Sequence, residues 1–181
     1  MQHKCLVTVL DKKCFSDYQE QYLADPQSGP CPFYQVGDQF LFTRYGEEDT
    51  FWYAGKGSQC AEAWDCISRY IYTALQGGSI MRNWTRDERM MIACCNDGTR
   101  PVIFQIQRLD YQVVKLQHVD WDTQSAPLQA ALEALPGVDH VIVRPDQGFL
   151  EVFLTEKAPL ADDLLRETVA RVSGSTVTAI D

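Results

Sequence analysis

Cysteines are the residues of this chain best able to do chemistry, and there are seven of them. No two are spaced as Cys-x-x-Cys, the arrangement typical of zinc ribbons and thioredoxin-type sites. In a cytoplasmic protein they are expected to be free thiols, metal ligands or redox groups and not a framework of structural disulfides, and their odd number agrees with this expectation. All lie within the first 95 residues: Cys5, Cys14, Cys31, Cys60, Cys66, Cys94 and Cys95.

Four of these cysteines fall where regular structure is expected to start or stop. Cys31 lies in a proline-rich loop, Cys60 at the start of a helix, and Cys94 and Cys95 just before a hairpin turn. On a regular strand Cys94 and Cys95 point to opposite faces, so only one of them is expected to join Cys31 and Cys60. Together the four predict a metal site, in which thiolates would hold zinc or an iron–sulfur cluster.

Two other interpretations of the same cysteines stay open. Free cysteine is often a small buried hydrophobic residue with no chemical role. Alternatively, Cys60 could act as a nucleophile, because the N-terminus of a helix favours a thiolate over a thiol. Asp97 and Arg100 flank the hairpin turn and are candidate partners that could hold an anionic substrate. Their ordinary roles are to bind the turn's backbone and to pair with a carboxylate.

The first part of the chain is expected to form a mixed α+β domain that covers residues 1–112. Apolar residues at helical spacing predict an amphipathic helix over residues 59–75. Ser16 and Gln19 resemble a capping box at the start of a shorter helix that runs to Ala24. The sequence Asn96-Asp97-Gly98-Thr99 indicates a hairpin between two strands. The predicted strands cover residues 5–10, 39–44, 90–95 and 100–109.

The second part, residues 113–181, has the pattern of a ferredoxin-like βαββαβ domain. Two amphipathic helices alternate with four strands in this pattern, and both helices can bury their apolar faces against one face of the sheet that the strands form. The first of these helices is expected to start at Pro127. A short linker, Asp110-Tyr111-Gln112, is expected to join the two domains. The four predicted strands are residues 113–119, 138–144, 149–155 and 176–180, and the second helix covers residues 160–172.

This second part resembles the heavy-metal-associated domains of copper chaperones and metal-transporting ATPases. The matching segments are residues 128–138, Val141-Ile142-Val143, and Gly148 to Val152. Those domains bind metal through a Cys-x-x-Cys pair before the first helix, but here the loop His118 to Ser125 has no cysteine. Soft ions such as Cu(I) need thiolate ligands. The resemblance therefore implies the fold without the metal transfer, and a use in binding or dimerisation.

The first part resembles a family of small bacterial cysteine-rich proteins with no established activity. The most specific match is the stretch from Ala93 to Phe104, which contains Cys94-Cys95-Asn96-Asp97-Gly98-Thr99-Arg100-Pro101. Cys31-Pro32, Val36-Gly37-Asp38, and Cys60 with Trp64 also match. This resemblance implies a domain boundary and a set of cysteines, and it implies no reaction.

Charge and hydropathy narrow the function classes. The net charge of −9 disfavours general binding to nucleic acid, because an acidic surface repels phosphates. No apolar run is long enough for a transmembrane helix, and residues 1–4 lead directly into a strand pattern, so a bacterial cytoplasmic location is expected.

The leading hypothesis is an accessory or binding protein that meets a protein partner, or a second copy of itself, through its second domain. The alternatives are a cysteine- or metal-dependent enzyme and a structural protein with inert buried thiols.

Overall fold

The computed structural model describes residues 1–45, 51 and 60–181. In this part of the chain four α-helices and seven strands form a mixed α+β structure, and all seven strands belong to one hydrogen-bonded sheet. The chain divides into two compact units. His3–Arg108 is called the cysteine unit below, and Leu109–Asp181 together with Met1–Gln2 is called the C-terminal unit. None of the described helices is both long enough and apolar enough to span a membrane.

The cysteine unit packs a long helix against a sheet. Strands β1 and β2 pair in antiparallel fashion, and β3 pairs in antiparallel fashion with the first half of β4, which also neighbours β1. Helix α2 buries the apolar face that its sequence periodicity predicts. The elements are β1 (Gln2–Lys12), α1 (Ser16–Tyr22), β2 (Gln39–Phe42), α2 (Ala61–Leu75), β3 (Met90–Cys94) and β4 (Val102–Gln117).

The start of α1 is not held by a capping box, so this prediction from the sequence is wrong. Phe15 is the N-cap residue, and no side chain caps the helix. Gln19 is almost fully buried, and its side-chain amide bonds both backbone groups of Gly29, each at 3.0 Å. A buried amide must find partners, and Gln19 finds them in the loop that follows the helix.

The C-terminal unit consists of the second half of β4 followed by two helices and three further strands. The second half of β4 pairs with β6 and with β7, and β5 pairs with β6, in each case antiparallel. Apolar residues of both helices and of the sheet form one core, which includes Leu128, Leu132, Leu150, Leu165 and Val169. The elements are α3 (Trp121–Glu133), β5 (Val138–Arg144), β6 (Phe149–Leu154), α4 (Asp162–Ser173) and β7 (Thr176–Ile180).

Two boundaries differ from those expected. Helix α3 begins at Trp121 instead of Pro127, so the proline lies inside the helix. The predicted linker Asp110-Tyr111-Gln112 is also wrong, because these residues lie within the continuous strand β4. Gln112 is buried, and its side chain accepts the backbone N–H of Leu160 at 2.8 Å and donates to its carbonyl oxygen at 3.2 Å.

Gly77, just after α2, adopts a conformation that other residues rarely take, with φ at +73°. A Cβ atom built there would lie 2.3 Å from Nε2 of His3. The buried Arg108 donates to the carbonyl oxygen of Gly77 at 3.0 Å and also to that of Gly78. The end of α2 is therefore held by β1 and β4 only if residue 77 has no side chain.

We expect Gly77→Ala to destabilise the protein by about 2 kcal/mol, because it adds backbone strain and a clash with His3. Gly98→Ala is the matched control, since no atom lies within 4 Å of a Cβ built at Gly98. Urea denaturation of both variants measures the difference. Equal stability of the two variants would show that Gly77 is not needed.

Candidate functional site

A small cleft in the cysteine unit collects three of the four cysteines singled out in the sequence. Its volume is about 30 Å³, enough for one or two water molecules or a small ion. Three segments meet there: the loop after α1, the N-terminus of α2, and the turn after β3. The described lining residues are Cys31, Pro32, Phe33, Tyr34, Cys60, Glu62, Cys95, Asp97, Arg100 and Val102.

The loop after α1 brings Cys31 and Tyr34 to the cleft. Gln19 holds this loop through the backbone of Gly29, as described above. Lys12 on β1 donates from Nζ to the carbonyl oxygen of Tyr34 at 2.6 Å. Both Cys31 and Tyr34 are buried as a result.

Cys60 enters the cleft from the N-cap position of α2. Its carbonyl oxygen accepts the backbone N–H of Trp64 at 3.0 Å, while no side chain caps this end of the helix. The thiol is half-buried, in contrast to the buried thiols of Cys31 and Cys95. Cys60 is therefore the cleft cysteine most open to solvent, and it sits at the positive end of a helix dipole.

The pair Cys94 and Cys95 is divided between two environments. Cys94 is the last residue of β3 and is exposed, whereas Cys95 is buried and lines the cleft. The Sγ atom of Cys95 accepts the backbone N–H of Val102 at 3.3 Å. Burial raises the pKa of the Cys95 thiol, and Cys60 and Asp97 act in the same direction, against hydrogen bonds from the N–H groups of Val102 and Asp97.

Tyr34 is the cleft residue that the sequence did not suggest. Its ring packs against Phe40, Phe51 and Phe104, with centroid distances of 5.9, 6.0 and 5.4 Å. The hydroxyl is buried and forms no hydrogen bond with the part of the chain that the structure describes. Burial, followed by the nearby thiols of Cys60, Cys31 and Cys95, raises the pKa of Tyr34 well above its usual value. The backbone N–H of Cys60 opposes this shift without reaching hydrogen-bonding geometry.

Asp97 and Arg100 shape the turn beside the cleft. One oxygen of Asp97 accepts the backbone N–H and the hydroxyl of Thr99, each at 2.9 Å. The other accepts Nε of Arg100 at 3.0 Å. Burial alone would raise the pKa of Asp97, but these hydrogen bonds outweigh it and the pKa is lowered. The Nη groups of Arg100 form no hydrogen bond with any described residue.

The structure assigns no role to the candidate metal ligands. Among the described residues, no group of three or more Cys, His, Asp or Glu side chains is arranged to hold a metal ion. The metal role of Cys31, Cys60, Cys94 and Cys95, and the catalytic role of Cys60, Asp97 and Arg100, stay predictions. Cys5, Cys14 and Cys66 do not line the cleft. Burial, the largest effect, raises the pKa of Cys66 to about 12, with Cys95 and Cys94 adding to it.

Comparison of the chain with models of protein families, with curated proteins and with solved structures finds no match. The chemistry of the cleft therefore has to be argued from its own residues.

The Asp97 carboxylate should make the protein less stable in acid. The pKa of the Asp97 carboxyl is lower in the folded chain than in the unfolded chain, where it is about 3.9. The stability that Asp97 adds to the folded protein is therefore complete above the pKa of the unfolded chain. It is lost as the pH falls through the pKa of the folded chain. We expect Asp97→Asn to cost about 1 kcal/mol at neutral pH, with a difference from the unmodified protein that shrinks below about pH 4.

Urea denaturation across this pH range measures the effect. Asp146→Asn is the control, since Asp146 is exposed and lies in the short 3-10 helix Pro145–Gln147, outside the cysteine unit. A stability difference for Asp97→Asn that stays constant from neutral pH into acid would contradict the expectation.

Proposed function

We propose that this chain is an accessory or binding protein whose cysteine unit binds a small ligand in the cleft lined by Cys31, Cys60 and Cys95. One observation carries the proposal: three thiols from three separate segments line the same small space beside a hydroxyl with no partner. Buried polar groups without partners are uncommon, and each one costs free energy in the absence of a ligand.

The exposure of the thiols supports a binding role more than an inert one. Inert cysteines are expected to be scattered through the core as separate small hydrophobic residues. Cys5 fits that description, since it is fully buried in β1. Cys60 does not, because it is half-buried and lines the cleft together with the two buried cysteines Cys31 and Cys95.

The C-terminal unit is proposed to be a ferredoxin-like domain of the heavy-metal-associated type that has lost its metal site. The order β4-α3-β5-β6-α4-β7 and the pairing of β7, β4, β6 and β5 support this proposal. The segment before α3 contains no thiol. The expected division between residues 112 and 113 stays a prediction, while the compact units of the structure divide between Arg108 and Leu109.

We further propose that the C-terminal unit mediates association, with a partner protein or with a second copy, in the bacterial cytoplasm. Strand β5 supports this use, since β6 is its only partner among the described strands. Its other edge presents unpaired backbone groups of the kind that accept an added strand.

A trivalent organic arsenical such as phenylarsine oxide tests whether the cleft thiols act together, because it binds tightly only where two thiols converge. The unmodified protein should bind one arsenical group, measured by intact mass after excess reagent is removed. We expect Cys60→Ala and Cys95→Ala each to abolish this binding.

Cys14→Ala and Cys94→Ala are the matched controls, because both cysteines are exposed and lie outside the cleft. Binding that is lost in Cys94→Ala and retained in Cys60→Ala would mean that the adjacent cysteines Cys94 and Cys95 capture the reagent. That outcome would overturn the proposed cleft site.

A further inference from the structure

In addition to cysteines, the cleft is lined by residues with hydrogen-bond donor groups that have no acceptor among the described residues. The hydroxyl of Tyr34 is buried and has no hydrogen-bond partner among the described residues, although Tyr34 lines the cleft. Cys31, Cys60 and Cys95 line the same cleft as Tyr34. Because the pKa of Tyr34 is raised, the hydroxyl keeps its proton and can donate it to a ligand.

Two further donor groups border the same space. The N-terminus of α2 lies at Cys60, and no side chain of residues 1–45, 51 or 60–181 caps it. Its first-turn N–H groups have no partner within the helix and point towards the N-terminal end. Arg100 lines the cleft and bonds Asp97 through Nε alone, which leaves its Nη groups for another acceptor.

The geometry points to an oxyanion as the ligand: we propose that the cleft binds a carboxylate, or an inorganic oxyanion of similar size, through the Tyr34 hydroxyl, the N-terminus of α2 and Arg100. This inference rests on the proposed function and names the class of its ligand. Helix N-termini favour anions because their N–H groups point at the ligand and the dipole is positive there. A volume of about 30 Å³ excludes larger ligands except through a terminal oxyanion group.

The carboxylates that line the cleft do not cancel this preference. Asp97 already accepts hydrogen bonds from Thr99 and from Arg100, so its charge is largely compensated. Glu62 is exposed in the first turn of α2, where water screens its charge.

The Tyr34 hydroxyl is buried, so an oxyanion reaches it only if a side chain of the cleft turns aside. We expect Cys60 to be the residue that moves, because it is the least buried of the three cysteines that line the cleft.

Isothermal titration of the full chain with inorganic phosphate and, separately, with acetate tests the proposal. We expect binding of at least one of the two at concentrations up to about 10 mM, weakened about tenfold in Tyr34→Phe. This variant loses only an unpartnered hydroxyl, so it should remain folded, as thermal melting would verify. Binding of phosphate alone indicates an inorganic ligand, and binding of acetate alone indicates a carboxylate.

Arg100→Gln is a second variant and should also weaken binding. Its matched control is Arg82→Gln, which breaks an exposed arginine–carboxylate pair with Glu88 elsewhere in the unit. Tyr22→Phe is the control for Tyr34, because Tyr22 is exposed and lies outside the cleft. Both controls should bind like the unmodified protein.

Tyr34→Phe and Arg100→Gln separate this proposal from the proposed function, because neither removes a thiol. Both variants should bind the oxyanion more weakly while they keep the arsenical. If neither anion binds, or if Tyr34→Phe and Arg100→Gln bind as tightly as the controls, the oxyanion site is overturned. The thiol site is unaffected by that result as long as the arsenical still binds through Cys60 and Cys95.

Discussion

The burial of Tyr34 is the constraint on which the cleft depends. Its ring is enclosed by Phe40, Phe51 and Phe104, which fixes the direction of the hydroxyl. Lys12 holds the backbone at the same residue. This enclosure gains apolar contact and leaves the hydroxyl without a hydrogen-bond partner among the described residues. The proposed ligand would supply the missing acceptor.

Local patterns in the sequence predicted the elements that carry the cleft. The helical spacing over residues 59–75 indicated α2, and Asn96-Asp97-Gly98-Thr99 indicated the turn that presents Cys95. Both patterns reflect interactions between residues close in sequence, so the helix and the turn could be predicted without the fold. The position of Tyr34 could not be predicted in this way, because Tyr34 follows Cys31 in an irregular loop that is held by hydrogen bonds between Gln19 and Gly29. The chain has eight tyrosines, and nothing in the sequence around Tyr34 distinguishes it from the others.

Two of the errors in the predictions from the sequence involve polar residues that are buried. Asp110 and Gln112 were expected to lie in a linker, yet both are buried inside β4. Gln19 suggested a helix cap and instead anchors a distant loop. A buried polar side chain is stabilised by partners remote in sequence, so its role is invisible without the fold. The same property makes such residues informative once the structure is known.

The central claim is that the cleft binds a ligand through the Tyr34 hydroxyl, and a crystal structure of the protein soaked in phosphate or acetate tests it most directly. The account predicts electron density for the anion within hydrogen-bonding distance of that hydroxyl and of Arg100, with the Cys60 side chain turned aside. A cleft that stays empty at saturating anion, with the hydroxyl of Tyr34 bonded to a group of the protein itself, would contradict it.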